Sequence, residues 1–232
     1  MALPGAPPLD LALIEQIAPL TLTGERLLAV PSLLESLFIW GGIPPGWSIG
    51  VAGNGAWSMA MAIWAEALGA EGWIAIVGAP DVNLVTAAEL GVRLDRVVVI
   101  ETPPTKVWTT VVGALIEAFD IVAIAPGGPV GLRDARRLSA RAREQGAVLF
   151  HLDGARSWPT AVDLTLTGST QKAGWQGGSW QGGSWQGVGD GHGHLRARCL
   201  RIDAVGRRAG RTRSTTVLLP GPDGVLAPFV EP

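Results

Sequence analysis

From Trp47 onward the chain alternates short apolar runs with longer segments that are apolar on one face only. The runs Ser48–Ala52, Trp73–Val77, Val97–Ile100, Ile121–Ala125 and Ala147–His151 read as strands buried on both faces. The segments at about Trp57–Leu68, Val82–Leu90, Lys106–Phe119 and Arg133–Glu144 read as helices. At the last of these, Leu132, Ala135, Leu138 and Ala142 make a stripe that asks to be buried, and the other faces are rich in arginine. Strands separated by helices of this length predict a mainly parallel sheet joined by right-handed crossovers. After residue 160 the pattern changes. Val162–Thr167, Leu195–Ala204 and Thr215–Leu219 read as strands with no helices between them, and Gly206 and Gly210 mark a hairpin tip. These strands extend the sheet in antiparallel fashion.

The flanks differ from this body. Residues 1–40 read as an N-terminal helical arm, in which Leu11, Leu13, Ile14 and Ile17 suggest a short amphipathic helix ended by Pro19. A second helix starts at Pro31 and carries Leu33, Leu34, Leu37 and Phe38. Residues 41–220 form the core. Within it, residues 174–187 read GWQGGSWQGGSWQG, and the Gly/Trp-rich stretch 170–194 is expected to be a flexible loop, because so much glycine cannot hold a compact core. Trp175, Trp180 and Trp185 are read as part of a repeat tolerated at the surface. Residues 221–232 are expected to be an irregular tail.

Composition narrows the class. Charged residues are only 16% of the chain against 47% hydrophobic, which suits a sheet covered on both faces. No apolar run is long enough to span a bilayer, since Glu66 breaks the longest one. The single cysteine, Cys199, rules out an internal disulfide and fits a reducing compartment, so a cytoplasmic location is expected. Charge is unevenly spread. Residues 1–92 hold one basic residue, Arg26, against eight acidic ones, whereas residues 93–232 hold 17 basic and 12 acidic. An acidic partner, nucleic acid and an ordinary solvated surface all remain open for the second half.

The candidate chemistry lies where the first strand turns into a helix, at Gly53-Asn54-Gly55-Ala56-Trp57-Ser58. Glycines here let backbone amides and a helix N-terminus face phosphate groups. A working loop of this kind ends in Gly-Lys-Ser/Thr, with the lysine on the terminal phosphates and the hydroxyl on magnesium. Ser58 could supply that hydroxyl, but Trp57 stands in the lysine position and Ala56 in the glycine position. An indole has no positive charge and would project bulk toward phosphate. Gly53, Asn54, Gly55, Trp57 and Ser58 are therefore read as a vestigial phosphate loop.

The stretch Ala88-Glu89-Leu90-Gly91-Val92-Arg93-Leu94-Asp95, followed by Arg96–Val99, resembles the helix-to-strand passage of RecA recombinases, and Asp120–Ile124 follows as the next core strand. The resemblance covers roughly residues 30–205 and implies a RecA-like, P-loop NTPase-type domain of three layers. Its parallel sheet would end in antiparallel strands. RecA proteins carry a catalytic glutamate after the second strand, where this chain has Ala79, and a magnesium-site aspartate after the Asp120–Ile124 strand, where it has Ala125. With Trp57, three charged groups are replaced, so the resemblance implies no ATPase activity and no cofactor.

More narrowly, Ile43-Pro44-Pro45-Gly46, Gly72–Gly78, the arginine-rich helix, Gly191–Arg198 and Leu218–Gly224 make the chain similar to ImuA-prime proteins of the actinobacterial type. That resemblance implies an accessory role in damage-induced mutagenesis and translesion synthesis, on the nucleoid after DNA damage. The implied partners are ImuB, an inactive Y-family polymerase relative, and indirectly an error-prone C-family polymerase. Two other readings stay open: a nucleotide-dependent DNA-binding ATPase, and a regulator that binds RecA itself through residues 10–40.

Arginines supply the candidate contacts. Arg133, Arg137 and Arg141 recur at i, i+4 and i+8 on one helix, flanked by Arg136 and Arg143. The hairpin Leu195–Arg213 adds Arg196, Arg198, Arg201, Arg207, Arg208, Arg211 and Arg213 against one acid, Asp203. Either set could meet DNA phosphates or an acidic face of ImuB. His192 and His194 with Cys199 make a poor zinc set, and His151 near Asp153 is read as a structural pair.

Overall fold

The computed structural model describes residues 27–152, 156–176, 197–207 and 211–230, with the main chain alone for 171–176. The described residues form one nine-stranded sheet. Its strands are β1 (Ser48–Gly53), β2 (Ile74–Val77), β3 (Val97–Ile100), β4 (Ile121–Ile124), β5 (Val148–His151), β6 (Leu164–Gln176), β7 (Ala197–Val205), β8 (Arg213–Leu218) and β9 (Ala227–Pro228). The order across the sheet is β3-β2-β4-β5-β1-β6-β7-β8-β9. Pairing is parallel from β3 to β6 and antiparallel from there to β9.

Alternation along β4 separates the two covered faces. Ile121 and Ala123 point into one core, and Val122 and Ile124 into the other. The first core packs against α1 (Ala56–Ala67), α2 (Leu84–Glu89) and a 3-10 helix over Ser32–Leu37. The second packs against α3 (Thr105–Ala118) and α4 (Leu132–Gln145), whose Ala135, Leu138 and Ala142 are buried as the stripe predicts. The result is the three-layer α/β architecture that the sequence leads one to expect.

Three segments depart from the expected pattern. The segment after Pro31 is a 3-10 helix rather than a longer helix. Its six residues are confined between Pro31 and the Gly41–Gly42 turn, and Leu34 N–H donates to Pro31 O, three residues back. Strand β6 continues to Gln176 and so runs into the stretch 170–194 expected to be a loop, with an irregular register between Thr170 and Trp175. The tail 221–232, expected to be irregular, contributes β9: Ala227 lies opposite Leu218 and Pro228 opposite Val217. The amphipathic segment Leu11–Ile17 lies outside the described residues.

The sheet brings the turn after β1 close to the chain's C-terminal strands. Ser48 N–H donates to the Asp163 carboxylate at 3.0 Å, and Asp163 N–H donates back to Ser48 O at 2.9 Å. This reciprocal pair sets the start of β6 beside the start of β1.

Candidate functional site

Strand β1 leaves the sheet through Gly53, at φ 77°, and Gly55, at φ 71°, which is the N-cap of α1. Both positions lie in the left-handed region that glycine tolerates. The turn is bound to the neighbouring strand. Asn54 N–H donates to Gly168 O at 2.8 Å, and Asn54 Nδ2 donates to Thr170 Oγ1 at 3.0 Å. A Cβ on Gly168 would run into Asn54 O, so the two backbones meet without room for a side chain. One loop amide that could face a phosphate is thereby engaged by β6.

Trp57 does not project from the turn as the sequence suggests. It lies half-buried along α1, packed on the core and edge-on to Trp64, with centroids 6.5 Å apart and planes at 90°. Trp64 in turn meets Phe150 of β5 at 5.7 Å. The helical i, i+7 spacing of the two tryptophans puts both on the inner face of α1. Ser58 lines a cleft of about 410 Å³ together with Thr86, Glu89, Arg198 and the segment Leu219–Pro222.

The positions matched to acidic groups in RecA proteins come together. Ala79 follows β2, Ala125 follows β4, and these strands are neighbours. Ala125 N–H donates to Val77 O at 2.9 Å, and a Cβ on Gly78 would meet Ala125 O. Ala79 is buried and Ala125 half-buried, both in the core beside α1.

The arginines separate into distinct environments. Arg141 pairs with Glu117 across the α3–α4 contact, and Arg137 reaches Asp134 at 3.7 Å. Arg133, Arg136 and Arg143 are exposed. The i, i+4, i+8 series is therefore divided between an interhelix pair and outward-facing charges. On the hairpin, Arg201 pairs with Asp203 at 3.0 Å, Arg207 and Arg211 are exposed, and Arg213 Nη1 donates to Ser36 O at 3.4 Å. Arg196 and Arg208 lie outside the described residues, as do His192, His194 and Asp153. Among the described residues no group of His, Cys, Asp or Glu could hold a metal. His151 is buried against the Trp158 ring, with centroids 4.7 Å apart.

Arg198 is the departure that counting charges misses. It shares its side of β7 with Leu200, Ile202 and Ala204, which are all buried in the core beside α1, whereas Ala197 and Cys199 face a small cluster on the other side. Its guanidinium therefore turns inward. Nε donates to Leu219 O at 2.8 Å, and the main chain of Arg198 is bonded to Leu219 and Pro220. Burial lowers its pKa, because the charged form has lost part of its hydration. A Cβ on Gly55 would run into Arg198 Nη2 and stand 3.0 Å from its Cζ.

Residues 36–160 match the MT3502 N-terminal domain family. The chain belongs to that family. The family's matched span runs from the 3-10 helix to just beyond β5, and so includes the β1–α1 turn, Ala79 and Ala125. The chain is also 37% identical over 138 residues to the uncharacterized protein Rv3395c of Mycobacterium tuberculosis. That match covers 58% of this chain and 66% of the relative's length. Among solved structures, the RadB recombinase superposes with a TM-score of 0.56 at 14% identity, over 87% of this chain and 98% of that one. The likeness carries the fold: this member of the MT3502 N-terminal domain family is RecA-like. No helix among the described residues is long and apolar enough to cross a membrane.

Proposed function

We propose that this chain is a non-catalytic RecA-like accessory protein of damage-induced mutagenesis, of the ImuA-prime kind. In this reading it docks with an ImuB-type inactive Y-family polymerase and, through it, with an error-prone C-family polymerase. The observation that carries the reading is the chemistry around the β1–α1 turn. A nucleotide-hydrolysing RecA protein carries a lysine and two acids at the matched positions, and here these are Trp57, Ala79 and Ala125. Phosphoryl transfer is catalysed by charge placed around the phosphates, and three uncharged side chains supply none. The packing of Trp57 against Trp64 supports the same view, since the indole acts as core and not as ligand.

Outward-facing arginines are the contacts we assign to the partner: Arg133 and Arg143 on α4, and Arg207 and Arg211 on the hairpin. They suit an acidic protein face or a nucleic-acid backbone. The experiment is a pull-down between the full chain and an ImuB-type protein, at two salt concentrations, with Arg133→Ala/Arg143→Ala and Arg207→Ala/Arg211→Ala variants. Loss of capture in either variant supports the docking assignment. Failure of the folded wild-type chain to capture the polymerase relative at low salt would refute it.

A nucleotide-dependent DNA-binding ATPase is the second reading. One observation favours it: Ser58 and Arg198 line the same cleft beside the turn. Phosphate release above background with ATP and magnesium would promote this reading over the first.

A further inference from the structure

The turn after β1 is closed on itself by parts of the chain far away in sequence. Its Asn54 amide and side chain are bonded to Gly168 and Thr170 of β6. Its N-cap, Gly55, lies against the Arg198 guanidinium of β7. The position of that guanidinium is not left to rotamer chance. Arg198 N–H donates to Pro220 O at 2.9 Å, Leu219 N–H donates to Arg198 O at 2.8 Å, and Nε returns to Leu219 O at 2.8 Å. Leu200, the next residue on the same side of β7, also approaches Gly55, its Cδ2 standing 3.2 Å from where a Cβ would be.

We propose that Arg198 is a built-in clasp of the vestigial phosphate loop: its guanidinium lies against Gly55 and locks the β1–α1 turn to the end of β8, so that the turn is shut to phosphate. The clasp deepens the proposed function, on which it rests, by stating why the loop persists. A glycine turn with no nucleotide to hold is still needed where an arginine from β7 must approach backbone. A guanidinium suits the task because it is planar and offers several donors in a fixed fork, of which Nε is used on Leu219 O. Its partial desolvation agrees with this inward role. The clasp also joins the β1–α1 turn to β7 and the Leu219–Pro222 segment, which β6 separates from β1 in the sheet. It leaves the α3–α4 side of the sheet untouched.

The test combines hydrogen exchange with a titration by inorganic pyrophosphate. In the full-length Arg198→Met variant, which keeps length and removes charge and donors, exchange of the Asn54 amide should accelerate at least tenfold. Exchange in β4 should stay within twofold. Arg198→Lys should resemble the Met variant, since a lysine cannot reproduce the Nε bond to Leu219 O. Pyrophosphate should show no saturable binding to the wild-type chain. Unchanged exchange at Asn54 in both variants overturns the clasp. So does saturable pyrophosphate binding to the wild-type chain, because the turn would then be open to phosphate. The titration needs no variant, so the proposal stays exposed even if a substitution prevents folding. Failure of the ImuB-type pull-down together with accelerated exchange in Arg198→Met would sink the docking reading and leave the clasp standing.

Discussion

Ser48 and Asp163 bond to each other twice, amide to carboxylate at 3.0 Å and amide to carbonyl at 2.9 Å, at the point where β6 starts beside β1. Asp163 is 2% exposed. The pair holds the start of β6, the strand that pairs parallel with β1 on one side and antiparallel with β7 on the other.

Breaking that pair should therefore cost stability out of proportion to one side chain. Asp163→Ala leaves the buried Ser48 amide without its acceptor, a loss on the order of 2 kcal/mol. Asp163→Asn keeps an acceptor oxygen and should lose clearly less. Urea denaturation of the two variants checks this, and equal losses would show that the bond from Ser48 does not hold the start of β6.

Gly168 should tolerate no side chain. A Cβ there meets the Asn54 carbonyl, which is backbone and cannot swing away. Gly168→Ala should destabilise by about 2 kcal/mol or more, with the melting temperature as readout. A neutral outcome would mean that the turn can move off β6.

Restoring the lysine should not restore catalysis. Trp57→Lys places a cation in the loop but leaves Ala79 and Ala125 unchanged, and it removes the edge-on contact with Trp64, worth about 1 kcal/mol. The expected result is a slightly less stable protein that releases no phosphate from ATP. Turnover above background would show that the remaining loop is competent.

Asp95 offers a pH test of a local contact. Arg93 Nη2 donates to its carboxylate at 2.7 Å, and this bond, with the attraction of the same guanidinium, lowers the Asp95 pKa while raising that of Arg93. A carboxylate with a lowered folded pKa contributes above its unfolded pKa, and the contribution is lost as pH falls through the folded value. The window is therefore acid, below about pH 4. Both groups are open to solvent, so the readout is a carbon-13 titration rather than stability. Asp95 should titrate below the ordinary aspartate range, and Arg93→Met should bring it back up. A titration unmoved by that substitution would remove the pair from the account.

The parallel half of the fold was legible because its strands are continuous apolar runs. IAIV and VVVI can be buried on both faces and little else, and they begin and end within a residue of where the pattern puts them. Strand β9 was not legible, since Ala227–Pro228 carries no pattern and exists only because β8 offers it an edge. At the candidate site, the sequence shows the glycine turn and its missing lysine but not what fills the neighbourhood. Charge along the hairpin groups Arg198 with the candidate contact arginines. Strand parity held the correction: position 198 alternates with Leu200, Ile202 and Ala204, which are core. The fate of Arg141 was out of reach, since Glu117 becomes its neighbour only when α3 packs on α4.

The two margins of the sheet are not equivalent. One ends in β9, two residues long with a proline, which gives an incoming chain almost no ladder to extend. The other ends in Val97–Ile100, four aliphatic residues only half covered. Lateral growth by strand addition, whether useful assembly or unwanted aggregation, would thus be polar, open at the valine margin and stopped at the proline one.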